Sequence, residues 1–378
     1  MLDPHRIEIP TPFHVGRVNC YAFPGDELVV IDPGPRTDEA YAALETGLEE
    51  IGQDVADVER VLITHPHMDH FGLAARVRRE SGAAVVAHED AVAPLADPDG
   101  HLAREQAFFR PFLRTMGVPE ELVDTVVDLP GPYAEFREPV EVDRRLQDGD
   151  VVDVGGVVDV GGVVDVEGSG DVVGVDDGGR LELEAVHTPG HAPGSVCFVA
   201  ATEDVAFTGD HVMLEVSPNP LLTLEPGNDD DRTRSLPAYI ESLDRIREAG
   251  ASVGHAGHRG RIDDLPGRAT EIADHHHERK ERIAGLVGDA GSDGGTTAYG
   301  IMKELFPDLP VTEMFPGMSE VIGHLDLLED EGRVETVEAA VEAAVDGAVD
   351  EAAIDEAAVD GTAVDEAVVD AVRRYRLV

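Results

Sequence analysis

Four side chains of metal-ligand type crowd into His65-Pro66-His67-Met68-Asp69-His70, directly after the apolar run Arg60-Val61-Leu62-Ile63. That run reads as a short buried strand ending at Thr64, which places the cluster on the loop at the strand's end. Alternate residues of extended backbone point the same way, so His65 and His67 can converge on one ion while Asp69 and His70 turn toward a second. Neutral imidazole and carboxylate suit zinc, and also iron or manganese. A chain carrying this cluster is expected to bring further ligands to the same place.

The rest of the chain offers them. Val18 to Phe23 and Glu27 to Ile31 read as strands joined by a Pro24-Gly25-Asp26 turn, and Asp32-Pro33-Gly34 stops the second. Residues 38–52 are helix-like, with Ala40, Leu44 and Leu48 at every fourth position. Residues 73–81 read as a helix and 84–87 as a strand, and this alternation indicates an α/β protein. Further on, His191 follows the strand Leu181 to Val186 in Thr188-Pro189-Gly190-His191, Asp210 follows Phe207-Thr208-Gly209, and His258 lies in Ala256-Gly257-His258. Each is a ligand-type side chain beside Gly, where backbone can approach closely. Residues 235–249 and 268–287 read as helices. The triplet His275-His276-His277, set among Glu278, Arg279 and Glu281, is expected to form a solvated helix face. His187, His211 and His324 are expected to pack or support rather than ligate.

The order of these motifs resembles the metallo-β-lactamase-fold hydrolase superfamily, over roughly residues 13–285. The resemblance implies an αββα sandwich with the site at one edge. It implies that His65, His67 and His191 hold one metal, that Asp69, His70 and His258 hold the other, and that Asp210 bridges them. Asp32 matches the family's supporting aspartate, which orients the ligand loop without touching the ion. His255 rivals His258 as last ligand. The family pattern places an apolar residue four after the ligand, and His258 with Ile262 fits where His255 with Arg259 does not. The implied cofactors are two Zn2+, with Fe or Mn as alternatives. The implied chemistry is hydrolysis by a metal-bridging hydroxide, with Asp69 and Asp210 catalytic as well as ligating.

Two stretches stand apart. Val-Val-Asp-Val-Gly-Gly occurs twice from Val151 and nearly a third time from Val163, which marks an acidic low-complexity insert at about 151–179 that lengthens a surface hairpin. Residues at about 335–370 form a second insert rich in Ala, Val, Asp and Glu. The flanking text, Ala298-Tyr299-Gly300-Ile301-Met302-Lys303-Glu304-Leu305, then Val321 to Leu328, then residues 373–378, resembles the small winged-helix appendage of some superfamily members. The expected division is a catalytic domain over 1–287 and a winged-helix-like domain over 288–378, its wing running from Val334 to Arg374–Val378.

Charge narrows the partners. Lys and Arg number 29 against 78 Asp and Glu, a net charge of −49, with Lys280 and Lys303 the only lysines. Such a chain repels nucleic acid and anionic membranes. The composition resembles that of cytoplasmic proteins from halophilic archaea, where salt screens self-repulsion. Cys20 and Cys197 form no framework, and Cys197 reads as a small core residue. No apolar run is long enough to span a membrane, and Met1 to Pro12 lacks the pattern of a signal peptide, so a cytoplasmic location is expected. The expected substrate is a small thioester or ester, as in the glyoxalase II-like branch. The alternative within the fold is a phosphodiesterase or ribonuclease, and the alternative of another class is a protein- or nucleic-acid-binding module built on the winged helix. The C-terminal helix pair is expected to cover the active-site edge or a homodimer contact.

Overall fold

The computed structural model describes residues 4–129, 131–154, 181–290, 295–339 and 371–378. The first sheet has six strands in chain order: β1 (His5–Ile9), β2 (Val18–Phe23), β3 (Leu28–Ile31), β4 (Val58–Leu62), β5 (Ala84–His88) and β6 (Arg144–Leu146). The first three are antiparallel, whereas β3 to β6 run parallel. The second sheet contains β7 (Val151–Val154), β8 (Leu181–His187), β9 (Val196–Ala200) and β10 (Val205–Gly209). A small hairpin, β11 (Leu224–Glu225) with β12 (Asn228–Arg232), comes next, and β13 (Val253–Ala256) then completes the second sheet in the order β13-β10-β9-β8-β7.

Helices connect and cover these strands. In chain order they are α1 (Asp38–Glu49), α2 (Met68–Phe71), α3 (Ala74–Ser81), α4 (Val92–Ala96), α5 (Pro98–Thr115), α6 (Glu120–Asp128), α7 (Ser235–Glu248), α8 (Leu265–Asp289), α9 (Ala298–Leu305) and α10 (Met314–Asp330). A closing hairpin pairs β14 (Val334–Ala339) with β15 (Val372–Leu377) antiparallel.

The period-2 alternation of the strands sorts side chains into layers. Tyr21, Phe23, Val29, Ile31, Leu62 and Val86 of the first sheet meet Leu183, Phe198, Val205 and Phe207 of the second in one core. The intervening residues Cys20, Val30, Val61 and Val85 face outward against α1 and α3. Cys197, Val199 and Ala206 face outward against α7 and α8. The result is helix, sheet, sheet, helix, and both cysteines are buried and free in its outer layers.

A further core joins α5, α6, the end of α8, α9, α10, Val334 of β14 and Tyr375 of β15. Sequence periodicity did not anticipate α5 or α6. α5 contains Pro111, which breaks the helical pattern, but its start is well formed: Pro98 sits in the first turn and the Asp97 side chain accepts the Gly100 amide. α10 begins at Met314, ahead of the Val321 to Leu328 text, and Pro316 lies in its first turn, where its missing N–H is not needed. The β7–β8 pair flanks the repeat near 151–179, and β14–β15 flanks the stretch near 335–370. Apart from Val151–Val154 and residues 335–339, both inserts lie outside the described residues. Among the described residues, no helix is long and apolar enough to cross a membrane.

Candidate metal centre

Parallel strands deliver their C-terminal ends to one edge, and the ligand-type residues stand there. Asp32 follows β3, His65 and His67 follow β4, Asp210 follows β10 and His258 follows β13. The turn from residue 67 onward is helical. His67 is extended at the N-cap of α2, and Asp69 and His70 occupy its single turn. That change of backbone swings Asp69 and His70 away from the direction shared by His65 and His67.

Two groups result. Donor atoms of His65, His67 and His191 lie within 4.8 Å of one another, and those of Asp69, His70 and His258 form a like group. In the first, His191 Nε2 and His67 Nδ1 are 3.0 Å apart. In the second, His258 Nε2 is 3.3 Å from Asp69 Oδ2. Asp210 stands between them. Its Oδ1 is 3.4 Å from His70 Nε2, and its Oδ2 is 3.5 Å from His258 Nε2 and 3.8 Å from His191 Nε2. Ligands about 2.0–2.2 Å from an ion stand at about these separations from each other.

The outer contacts settle which ring nitrogen faces inward. His70 Nδ1 is 2.9 Å from Asp32 Oδ2, His258 Nδ1 is 2.8 Å from the Arg17 carbonyl, and His191 Nδ1 is 3.0 Å from the Asn219 carbonyl. Each partner can only accept, so each Nδ1 carries the proton. His65 Nδ1 lies 2.9 Å from Thr64 Oγ1, whose own hydrogen goes to Asp32 Oδ2 at 2.6 Å, so it too donates. The Nε2 atoms of His65, His70 and His258 are left buried without a hydrogen-bond partner, as is Asp210 Oδ1. Four inward-facing orphans at one point fit a divalent cation and little else.

Asp32 organises this arrangement from behind. It is 1 % exposed, its Oδ1 accepts the Thr64 amide at 2.9 Å, and its backbone sits at φ 53. That left-handed conformation is one Asp tolerates better than most residues. Gly257 is required for a different reason: a Cβ there would lie 2.5 Å from Asp210 Oδ1 and 2.8 Å from His70 Cε1. The 256–258 segment is pinned by Tyr21, whose hydroxyl donates to the Ala256 carbonyl at 2.7 Å, and by Asn19, whose backbone amide donates to the Gly257 carbonyl at 2.7 Å.

Electrostatics points the same way. Burial, aided by the neighbouring rings, drives the His65 imidazole well below its usual pKa and His67 down to about 3. Burial also opposes charge on His70, but the carboxylates of Asp210, Asp69 and Asp32 outweigh it and hold that ring's pKa well above the ordinary value. Burial alone would raise Asp210, yet His258 and His70 hold its carboxyl well below the usual range. The centre thus combines neutral imidazoles on one side with a focused negative field on the other, and a cation experiences both favourably.

His255 does not join the group. It stacks on Phe207 with centroids 5.2 Å apart and meets Tyr21 edge-on, between the sheets. His211 is buried, and the Tyr239 hydroxyl donates to its carbonyl at 2.7 Å. The expectation of a solvated face for His275-His276-His277 needs correction. His276 is 1 % exposed and packs against Tyr239, Glu320 and His324, because α10 lies against that side of α8. Sequence reasoning also passed over Thr64, Asn19, Tyr21 and Asn219. Thr64 could have been found from its position beside His65, whereas the others act from distant segments and leave no local signal.

A helix–sheet–sheet–helix sandwich with this cluster at its edge defines a metallo-hydrolase architecture. The sequence profile of the Metallo-beta-lactamase superfamily matches residues 15–258, and the chain belongs to that superfamily. It is 28% identical over 325 residues to the probable metallo-hydrolase YqjP of Bacillus subtilis, covering 86% of this chain and 92% of the relative. The crystal structure of the metallo-beta-lactamase family protein TTHA1429 from Thermus thermophilus superposes with a TM-score of 0.67 at 30% identity, covering 88% of this chain and 95% of that one. An atrochrysone carboxyl ACP thioesterase of Aspergillus chevalieri is 31% identical over 132 residues, 34% of this chain and 39% of the relative.

Proposed function

We propose that the chain is a binuclear metal-dependent hydrolase of small thioesters or esters. The observation that carries this is the pair of three-residue donor groups joined by Asp210, with the Nε2 atoms of His65, His70 and His258 aimed inward. His65, His67 and His191 would hold one ion, Asp69, His70 and His258 the other, and Asp210 would bridge. Zinc is the preferred metal for this nitrogen-rich set, with iron or manganese as alternatives. Two such ions, when bound, lower the pKa of a shared water and polarise the scissile carbonyl. The chain's own part is to fix the ligands. Asp32, Thr64, Arg17 and Asn219 set tautomers and ring orientation, while Asp69 and Asp210 supply the negative charge that holds the ions and orients the attacking water.

A cavity of about 460 Å³ gives room for the rest of the substrate. Val216, Pro218, Phe306 and Leu309 give it apolar surface beside the charged Glu215, Arg279, Glu313 and Glu320, and it shares Asn219 with the ligand shell. His276 and Arg279 of α8, Phe306 after α9, and Pro316 and Glu320 of α10 wall it, the last three from the unit read as winged-helix-like. Asn219 Nδ2 donates to the Pro316 carbonyl at 3.3 Å, Arg279 pairs with Glu320 at 2.6 Å and Arg232 with Asp326 at 2.7 Å. α10 is buried from Gly317 to Asp326, which leaves its central face no groove to read, and the net charge of −49 argues further against nucleic acid. The partial match to a thioesterase supports the acyl substrate.

Acyl thioesters, esters and RNA assayed side by side in molar salt test this reading. Thioester or ester turnover that disappears in His67→Ala is expected. RNA cleavage abolished by the same change, without acyl turnover, would replace the proposal with a nuclease.

A further inference from the structure

The polar groups that line the cavity beside Asn219 are unevenly matched. His276 lines it, is 1 % exposed, and neither of its ring nitrogens has a hydrogen-bond partner. Glu320 Oε1 stands 3.6 Å from its Nδ1, too far for a hydrogen bond. Asn219 Oδ1 is likewise buried and without a partner, although the same side chain donates through Nδ2 to the Pro316 carbonyl. Burial keeps the His276 pKa down at about 4, so at neutral pH its ring carries one N–H and one lone pair. The wall therefore holds two unmet acceptors, Asn219 Oδ1 and the imidazole lone pair, against one unmet donor.

Charge adds to the imbalance. Among the described residues, Arg279 is the only Arg or Lys that lines the cavity, against Glu215, Glu313 and Glu320. Arg279 is already engaged: its Nη1 donates to Glu320 Oε1 at 2.6 Å, and Glu320 is 4 % exposed. An anionic arm would draw the guanidinium away and leave a buried carboxylate uncompensated, or would sit beside Glu320 and share one positive charge with it. Both arrangements are unfavourable. Arg259 answers Glu215 at 2.9 Å, whereas Glu313 stands exposed at the rim. A cationic arm breaks no existing contact. An ammonium has three donors, and the wall leaves over Asn219 Oδ1, the His276 lone pair and the lone pairs of Glu320 that Arg279 does not use. The methylene chain behind it lies on the apolar surface of Val216, Pro218, Phe306 and Leu309.

We propose that this cavity selects acyl substrates whose arm carries a primary ammonium group, and turns away arms that end in carboxylate or phosphate. The proposal rests on the hydrolase reading above, but the selection belongs to the cavity itself. Asn219 joins the two, since it borders the cavity while its carbonyl accepts His191 Nδ1 at 3.0 Å. An arm held here is one residue removed from the metal ligands.

Binding to the zinc-loaded full chain tests the selection without turnover. Molar potassium chloride screens loose attraction to the acidic surface. The probes are straight-chain aminohexanol and hexanediol, equal in length and differing by one charge. Calorimetry is expected to show aminohexanol bound about tenfold more tightly, the difference between a charged and a neutral hydrogen bond, and NMR to show the His276 ring signals moving with it. Glu320→Gln is expected to abolish the preference. Glu313→Gln, at an exposed position that leaves the buried contacts intact, is expected to reduce it by about twofold. Equal affinity for the two probes, a preference that leaves the His276 signals unmoved, or a preference unchanged in both variants overturns the proposal. Acetyl thioesters of matched thiols, one ending in ammonium and one in carboxylate, separate the two readings. Turnover with no preference for the ammonium arm overturns the selection and leaves the hydrolase standing. Selective binding of aminohexanol with no turnover of either thioester overturns the hydrolase reading and leaves the amine site standing.

Discussion

Asp32→Asn separates the charge of this residue from its shape. The carboxylate accepts three hydrogen bonds: the Thr64 amide at 2.9 Å, the Thr64 hydroxyl at 2.6 Å and His70 Nδ1 at 2.9 Å. Asparagine keeps the volume and tolerates the backbone at φ 53 equally well, so no strain enters from the main chain. Its amide nitrogen, however, must oppose a donor in either orientation. Facing Oδ1's partner it meets the Thr64 N–H, which cannot move; facing Oδ2's partner it meets His70 Nδ1–H. The cheaper escape is for His70 to shift its proton to Nε2, the nitrogen that faces Asp210 at 3.4 Å and is needed by the ion. Loss of such an outer partner costs about 10–100-fold in metal affinity, which is about 1.4–2.8 kcal/mol. Chelator competition with zinc measures it, and nitrogen NMR of the His70 ring in the zinc-loaded protein, where the ring is neutral, reports which nitrogen carries the proton. An Asp32→Asn protein that binds zinc as tightly as the natural chain, with His70 still protonated on Nδ1, would falsify the orienting role.

Two other perturbations probe different parts of the molecule. Gly257→Ala drives a methyl group to within 2.5 Å of Asp210 Oδ1, so metal affinity should fall by about 10–100-fold while the far-ultraviolet circular dichroism stays native; undiminished zinc binding would mean the loop has room to spare. Burial holds the His276 pKa down at about 4 from an ordinary 6.5, so between those values the unfolded chain binds a proton that the folded chain refuses. Stability from this group is complete above pH 6.5 and drains away as pH falls toward 4, by about 3 kcal/mol over the whole window. Urea unfolding at pH 7 and pH 4.5 should show a loss that is smaller in His276→Gln by about 2 kcal/mol, and equal losses would contradict the burial argument.

The ligand-type residues at 65–70 were legible because they are local. Six consecutive residues after an apolar strand carry their own geometry, and the glycine-flanked His191, Asp210 and His258 announce strand ends without reference to one another. Strands and most helices were legible for the same reason, since period 2 and period 3.6 are properties of short windows. Distances between such windows are not. That His258 faces Asp69 while His255 stacks on Phe207 depends on which side of β13 looks toward the edge, and pairing with β10 decides that. The buried position of His276 depends on α10 lying across α8, and α5 and α6 escaped notice because their apolar faces find partners far along the chain. The meeting of His88 with His187 is the extreme case: 99 positions separate them, and only the packing of two sheets brings their rings to 3.9 Å. The chemical character of the main centre is thus written in the chain itself, because ligand type and spacing reside in short runs of residues. Which distant groups orient it is settled only by packing, because those relations arise from layers pressed together by burial of apolar surface, which carries no address in the local pattern.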